Sequence, residues 1–351
     1  MEFNKKTWYI LIYQVFLYKI RKKDTRSKKQ IVLIKFEPYE RKNNKMKIGI
    51  DLGGSHIAIG VVDSKGRIAE KIEKRIMNKE KKNIEKTIEE YIEGNIKTLK
   101  EKYEITQIGI AVPGTVNREN GEIIKSVNLG IKNYPIVEHI RKMITSEIPI
   151  TIRNDAKCAA IAEDKYGTLK SYQRSLFLTL GTGIGGAVII NHELLNTGNL
   201  PGCEFSHMTI QKDGIECKCG KKGYWEKYAS MKTLKDNLRK ELGLTETTRG
   251  QDLLEMIRKN ENKPEEQKDK RIDKIIESYL EYLSIGIANL INIFEPEAIG
   301  IGGSFVYFEE VLLDKLKQKI LSQNLLFNPR KDIIMETAIL NNDAGIVGSV
   351  L

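Results

Sequence analysis

Apolar residues in this chain recur with two different spacings, and the switches between them mark out its elements. From Lys47 to Val62 they form two β-type runs joined at Gly53-Gly54, and Asp63-Ser64-Lys65-Gly66 makes a turn before a third run, Arg67 to Arg75. The period then lengthens. Between Asn83 and Lys102, the residues Ile84, Ile88, Ile92, Ile96 and Leu99 recur at helical spacing among Lys and Glu, which predicts an amphipathic helix. A continuous apolar run, Ile105 to Val112, reads as a buried strand ended by Pro113-Gly114, and Asn117 to Gly121 predicts a turn before Ile123-Ile124. A further strand-like run, Thr151 to Arg153, ends in Asn154-Asp155, with a helical stretch from Ala156 to Tyr166. The order then returns: strands at Leu176 to Leu180 and Ala187 to Ile190, a loop region, long helices, and a strand at Ala298 to Ile301. Residues 242–273, rich in Thr, Glu and Lys and containing Pro264, read as a surface loop between helices.

A chain of 351 residues exceeds what one hydrophobic core organises, so the two rounds of the pattern are read as two lobes. The net charge of +11 suggests a polyanionic partner until it is located. Residues 1–47 carry 14 Lys/Arg against 4 Asp/Glu, which leaves 44 against 43 for the rest, so the body is nearly neutral and no nucleic-acid partner is expected. Within this basic arm the apolar stretch Trp8 to Tyr18 is only 11 residues long, short of the roughly 20 that span a bilayer. The basic run Lys19 to Lys29 stands where a signal peptide has its cleavage site. The preferred reading is that the working chain starts at Met46, which opens the first strand, with 1–45 an extension outside the native fold. An amphipathic membrane-surface anchor is the second reading. A DNA-binding module is the third, although the arm lacks a helix–turn–helix pattern. Four cysteines without an even framework point to a reducing, cytoplasmic setting.

Candidate chemistry gathers at two glycine-rich turns, Asp51-Leu52-Gly53-Gly54-Ser55 and Gly181-Thr182-Gly183-Ile184-Gly185-Gly186, each following a β-type run. Small residues there let backbone N–H groups approach an anion that a Cβ would exclude. Two such turns in one chain suggest a polyphosphate held between two halves. Asp51 could bind Mg²⁺ directly or through water, and Ser55 could donate its hydroxyl. The order strand, glycines, strand excludes a Rossmann site, and there is no Gly-Lys-Ser/Thr of a Walker loop. Asp155, at a strand end near these turns, is the candidate general base for a hydroxyl nucleophile, and Asn154 beside it can both donate and accept. An N-cap is the competing use of the Asn-Asp pair.

This arrangement resembles the sugar kinases of the ROK family, within the actin-like ATPase superfamily. The likeness runs from about residue 46 to the end of the chain. It implies an α/β fold of two RNase H-like lobes with the active site in the cleft between them. The first lobe is 46–153, joined by a C-terminal helix over 338–351, and the second is 154–337, with a sugar and zinc loop at 202–226. Gly202 to Met208 resembles the family's Gly-Glu-x-Gly-His segment, with Ser206 in place of Gly. Cys217 to Glu226 resembles its Cys-x-Cys-Gly-x-x-Gly-Cys-x-Glu. The resemblance implies sugar contacts at Glu204, His207 and Glu226, and zinc ligands at His207, Cys217 and Cys219. Tyr224 stands at the place of the third Cys, and a neutral phenol is a weak replacement for a thiolate, so two free thiols are the alternative to a zinc site. Pro113-Gly114 and Ser126 to Leu129 look like segments lining the sugar pocket, which adds Gly114 and Asn128. Glu295 to Ser304 resembles the strand and turn near the nucleotide's adenosine, which adds Gly302 and Gly303, with Ser304 replacing a glycine. Asp343 to Gly348 matches the closing helix.

What the resemblance implies is transfer of the γ-phosphoryl group of ATP, with Mg²⁺, to a hexose. Glucose at O6 leads, and N-acetylmannosamine, fructose, allose and N-acetylglucosamine are open. It implies a homodimer; the short apolar stretch of the arm predicts no membrane span. A sugar-responsive regulator is the alternative class. A pure ATPase is disfavoured by the Glu204, His207 and Glu226 constellation.

Overall fold

A computed structural model describes residues 45–351, except 78–79, 145–146, 196–197, 199–201, 218 and 323–332. The basic arm, with its three readings, lies outside the described residues. The first round of the sequence pattern forms strands β1 (Met46–Leu52), β2 (His56–Val62) and β3 (Ile68–Arg75), helix α1 (Ile84–Lys102) and strand β4 (Ile105–Val112). A small antiparallel sheet follows, β5 (Thr115–Asn117), β6 (Glu122–Ser126) and β7 (Ile131–Tyr134), then helix α2 (Ile136–Ile144), strand β8 (Ile150–Asn154) and helix α3 (Asp155–Tyr166). The main sheet runs β3-β2-β1-β4-β8. Its hairpin strands are antiparallel and β4 and β8 are parallel to β1, a pairing that requires a crossover, supplied for β4 by α1. Helix α1 buries the five residues its period singles out, Ile84, Ile88, Ile92, Ile96 and Leu99.

The second round repeats this layout. Strands β9 (Arg174–Leu180), β10 (Ile184–Ile190), β11 (Glu193–Leu194), β12 (Ala298–Gly302) and β13 (Ile334–Thr337) form a sheet in the order β11-β10-β9-β12-β13, again with an antiparallel half and a parallel half. Helices α4 (Glu226–Ala229), α5 (Met231–Glu241), α6 (Gly250–Glu261), α7 (Lys270–Phe294) and α8 (Glu309–Leu321) cover it. Trp225 is fully buried against α7, where a Cβ on Gly286 would lie 2.0 Å from the indole. Its Nε1–H donates to the Tyr282 carbonyl at 2.9 Å, so the polar edge of the ring is satisfied.

Two expectations are corrected. Residues 242–273 are not a surface loop: they contain α6 and the first turn of α7. Leu253, Leu254 and Ile257 place an apolar stripe on one face of α6, all three are buried, and Asp252 closes its N-terminus by accepting from the Arg249 N–H at 3.2 Å. The many charges of this segment conceal a short stripe that packing rewards. The expected helix over 338–351 is likewise shorter, consisting of a 3₁₀ turn (Asn341–Asp343) and helix α9 (Ala344–Ser349). Asn341 sits at a left-handed φ of 48°, which interrupts any helix entering from the β13 side.

Helix α9 returns to the first sheet and packs against β1, β4 and α3. The approach is close because the facing positions are glycines. A Cβ on Gly49 would stand 2.1 Å from the Ile346 carbonyl oxygen, and one on Gly109 would stand 2.0 Å from that of Ser349. From the other side, Gly348 meets the Cys158 carbonyl of α3. Among the described residues no helix is long and apolar enough to cross a membrane.

Candidate active site

Asp51 is on the last turn of pleat in β1, opposite Ala58 and Ala111, with its carboxylate against Gly345 at the start of α9. Burial, reinforced by the negative charge of Asp155, pushes its pKa up to about 7, against the pull of Lys71. Lys71 is itself paired with Asp343 at 2.9 Å. The hairpin that follows is tight: the Gly53 N–H donates to the His56 carbonyl at 2.8 Å. Ser55 is exposed, and Gly54 lies against Asn128, where an added Cβ would be 3.2 Å from the Asn128 Cβ. The first glycine turn and one predicted sugar contact are thus neighbours.

Asn154 and Asp155 occupy the junction of β8 and α3. Asn154 is the N-cap, its Oδ1 accepting from the Lys157 N–H at 3.2 Å, while its Nδ2 donates to the Gly114 carbonyl at 3.0 Å. The cap and the candidate site residue are therefore the same side chain, and it ties the Pro-Gly turn to the helix start. Gly114 takes a φ of 114°, which only glycine adopts without strain. Asp155 is the first helical residue and partly buried. Burial raises its pKa, opposed by the Ala156 N–H that donates to Oδ1 at 2.9 Å and by Lys157, and assisted by the nearby Glu204 charge. Asp51, a carboxylate held up by burial and by the charge of Asp155, is a group that a cation relieves, which fits Mg²⁺ there.

The second glycine turn is narrower than its sequence suggests. Gly181, Thr182 and Gly183 make the turn, with the Gly181 N–H donating to the Gly183 carbonyl at 2.9 Å, while Gly185 and Gly186 already lie in β10. Gly185 gives room to Ala156 of α3, and Gly186 gives room to Phe205. Glu226 reaches this turn: its Oε2 accepts from the Ile184 N–H at 3.1 Å and covers Gly183. Gly302 ends β12, and Gly303, at a φ of 74°, abuts the Leu180 carbonyl, so this turn and the second glycine turn are in contact.

Glu204 and His207 are exposed on the loop beside β10. The zinc set is not gathered there. Among the described residues no group of three or more His, Cys, Asp or Glu side chains is arranged to hold a metal ion. Tyr224, buried, stands among the expected ligands: its ring is 4.8 Å from that of His207, and its Oη accepts from the Cys219 Sγ at 3.6 Å. His207, Cys217 and Cys219 therefore do not fit a closed tetrahedral site, which needs a fourth thiolate or imidazole where the phenol is.

Two side chains at the site were not singled out by sequence. Lys157 is buried beside Asp155, in a stretch of small residues where a lone cation breaks the pattern; that break was the available signal. Lys235, on α5, donates to Ser304 Oγ at 3.1 Å, so the hydroxyl that replaces a family glycine has a partner from another helix. No spacing rule links residues 69 apart.

The profile of the ROK family matches residues 47–351. A glucokinase of Streptomyces coelicolor is 30% identical over 317 residues, covering 86% of this chain and 95% of that protein. A xylose repressor of Caldicellulosiruptor bescii is 26% identical over 308 residues, 86% of this chain and 76% of the repressor. Among solved structures, a ROK family glucokinase from Streptomyces griseus in complex with glucose and AMPPNP superposes with a TM-score of 0.70 at 24% identity, covering 87% of this chain and 98% of that one.

Proposed function

Since the chain belongs to the ROK family, we propose that it is an ATP-dependent sugar kinase that transfers the γ-phosphoryl group to a hexose hydroxyl, with O6 of glucose the leading acceptor. The observation that carries this reading is Asp155. It is a partly buried carboxylate at the first position of α3, within electrostatic reach of both Asp51 on the phosphate side and Glu204 on the sugar side. A raised pKa suits a base that must take a proton from a sugar hydroxyl as its oxygen bonds to phosphorus. The proton passes to Asp155, and the bond from the γ-phosphorus to the bridging oxygen breaks, leaving ADP.

The other roles follow from what each side chain has left to offer. Asn154 has used one N–H and one lone pair on Gly114 and Lys157, and keeps a second of each for a sugar hydroxyl. Glu226 holds the Ile184 N–H with one oxygen, and the other is available to the acceptor. Asn128, Glu204 and His207 complete the polar lining. Gly53, Gly54, Ser55, Gly181, Thr182 and Gly183 form the phosphate turns, and Gly302 and Gly303 border the nucleoside. Asp51 would hold Mg²⁺, which when bound neutralises charge on the phosphates. No step is assigned to zinc. A homodimer is part of this reading. The glucokinase relatives support the kinase reading, and the repressor relatives support the second reading, a sugar-responsive regulator.

The test is ATP consumption by the full chain and by a version starting at Met46, with Mg²⁺, across glucose, fructose, allose, N-acetylmannosamine and N-acetylglucosamine. Sugar-stimulated turnover that Asp155→Ala abolishes is the expected result. Sugar binding without turnover in the unaltered protein would transfer the assignment to the regulator.

A further inference from the structure

Among the described residues Lys157 is the only buried lysine, at 6% exposure. The other buried residues of α3 are the small apolar Ala156, Cys158, Ala160 and Ala162 and, towards its C-terminal end, Glu163 and Asp164. Taking an ammonium out of water is costly unless it is paired and hydrogen-bonded. The partners it finds are specific: Nζ donates to the Gly186 carbonyl of β10 and, at 3.5 Å, to the Cys203 carbonyl. Asp155 and Glu204 supply nearby negative charge.

The Cys203 contact reaches an unusual piece of chain. Gly202 and Cys203 both have left-handed φ, 57° and 49°, and a residue with a Cβ keeps that conformation only where its surroundings impose it. Immediately after it come Glu204, Phe205 and His207, the Phe205 N–H and His207 N–H closing short turns onto Cys203 and Glu204. Phe205 anchors this segment by burial, but Glu204 and His207 are exposed, so their positions depend on how the backbone at Cys203 is held.

We propose that Lys157 is a positioning residue for the sugar acceptor, its ammonium clamping the loop that bears Glu204 and His207 to the helix that begins with Asp155. The acceptor would then meet a base and a set of hydroxyl contacts whose spacing is set by one buried cation. Part of this inference, its consequence for the acceptor, rests on the kinase reading above.

Lys157→Met in the full chain separates this role from a packing role, because an unbranched apolar side chain of similar length fills the site without the cost of a buried charge. The expected result is an unchanged or higher melting temperature, a KM for sugar raised about tenfold and a KM for ATP within about twofold of the original. Amide hydrogen exchange at residues 203–207 should be faster, with the remainder of α3 unchanged. Unaltered exchange at 203–207 overturns the clamp. So does an unaltered KM for sugar, or a variant whose two KM values change together with a loss of melting temperature. If the unaltered protein phosphorylates no sugar in the panel, the kinase reading fails, and the exchange comparison alone still decides whether Lys157 holds the loop.

Discussion

Asp51 and Asp155 have much of their water removed; the charge of Asp155 adds to the cost of charging Asp51, and that of Glu204 adds to the cost of charging Asp155. Both are held above the ordinary aspartate range, which means that the folded protein binds protons more tightly than the unfolded chain does. The stability linked to these groups is full below the unfolded aspartate pKa and is lost as pH rises through the folded values. At neutral pH the charged pair therefore costs stability. Asp155→Asn should raise the melting temperature by a few degrees, about 2–4 °C for each kcal/mol recovered, while lowering kcat by about 10²–10⁴. On the proposed reading, in which Asp155 is the base and must be unprotonated to act, the acid limb of kcat/KM should fall above the ordinary aspartate range. Calorimetry and a rate profile between pH 4 and 9 (roughly the span over which a raised aspartate titrates) check both. A variant less stable than the original at pH 7 would contradict the electrostatic account. The place of Asp155, at a strand end before a small-residue helix, was legible in sequence because it is a local pattern. The role of Lys157 is not legible in sequence, because its partners, Gly186 and Cys203, come from elsewhere in the chain.

At the scale of elements, the segment from Glu204 to Glu226 shows how one substitution changes what holds a loop. The motif spacing is legible in the sequence, and so is the departure at Tyr224. The consequence is not, since it depends on the phenol's contacts: one face towards His207 and the hydroxyl on Cys219. The loop is joined by side-chain packing and by backbone pairing of Thr209 with Tyr224 and of Glu216 with Lys222. Treatment with a chelator, followed by excess Mg²⁺, should therefore restore full sugar-dependent activity without zinc, and elemental analysis of the unaltered protein should find little zinc. Tyr224→Cys should raise the content toward about one zinc per chain, because it restores the missing thiolate. Stoichiometric zinc in the unaltered protein would overturn this account. The stretch at 242–273 failed as a sequence reading for the opposite reason: the three apolar residues that α6 buries, Leu253, Leu254 and Ile257, are a short stripe among many charges, outweighed until α6 found a surface on which to bury them.

For the whole molecule, the repeated order of hairpin, strand, helix and parallel strand was readable from period switches, and the two five-stranded sheets follow it. The way α9 closes the first lobe was only partly readable. The family likeness called for a closing helix, but the glycines at 49 and 109 look like ordinary strand glycines until Ile346 and Ser349 are placed over them. Gly109→Ala should destabilise the protein by about 1–3 kcal/mol, the range for overpacking a filled interior. It should also weaken ATP binding, since the displaced helix lies against both Asp51 and α3. Equilibrium unfolding in urea and nucleotide titration measure the two effects, and a variant matching the original in both would show that the helix can shift freely.

The same seat governs when the protein can first work. Lys47 in β1 and the Val350 carbonyl it holds are 303 residues apart. At ribosomal rates of about 5–20 residues per second, that interval lasts on the order of 15–60 s. Throughout it, the groove between β1, β4 and α3 stays open on the nascent chain, and the carboxylates at its rim lack their final wall. The second lobe can collapse around its own core during this time, but the end of the first that bears Asp51 cannot finish. On the kinase reading, competence to bind nucleotide therefore arrives late, with a six-residue helix, and a chain that stalls before it emerges carries a nearly complete fold and an unassembled site.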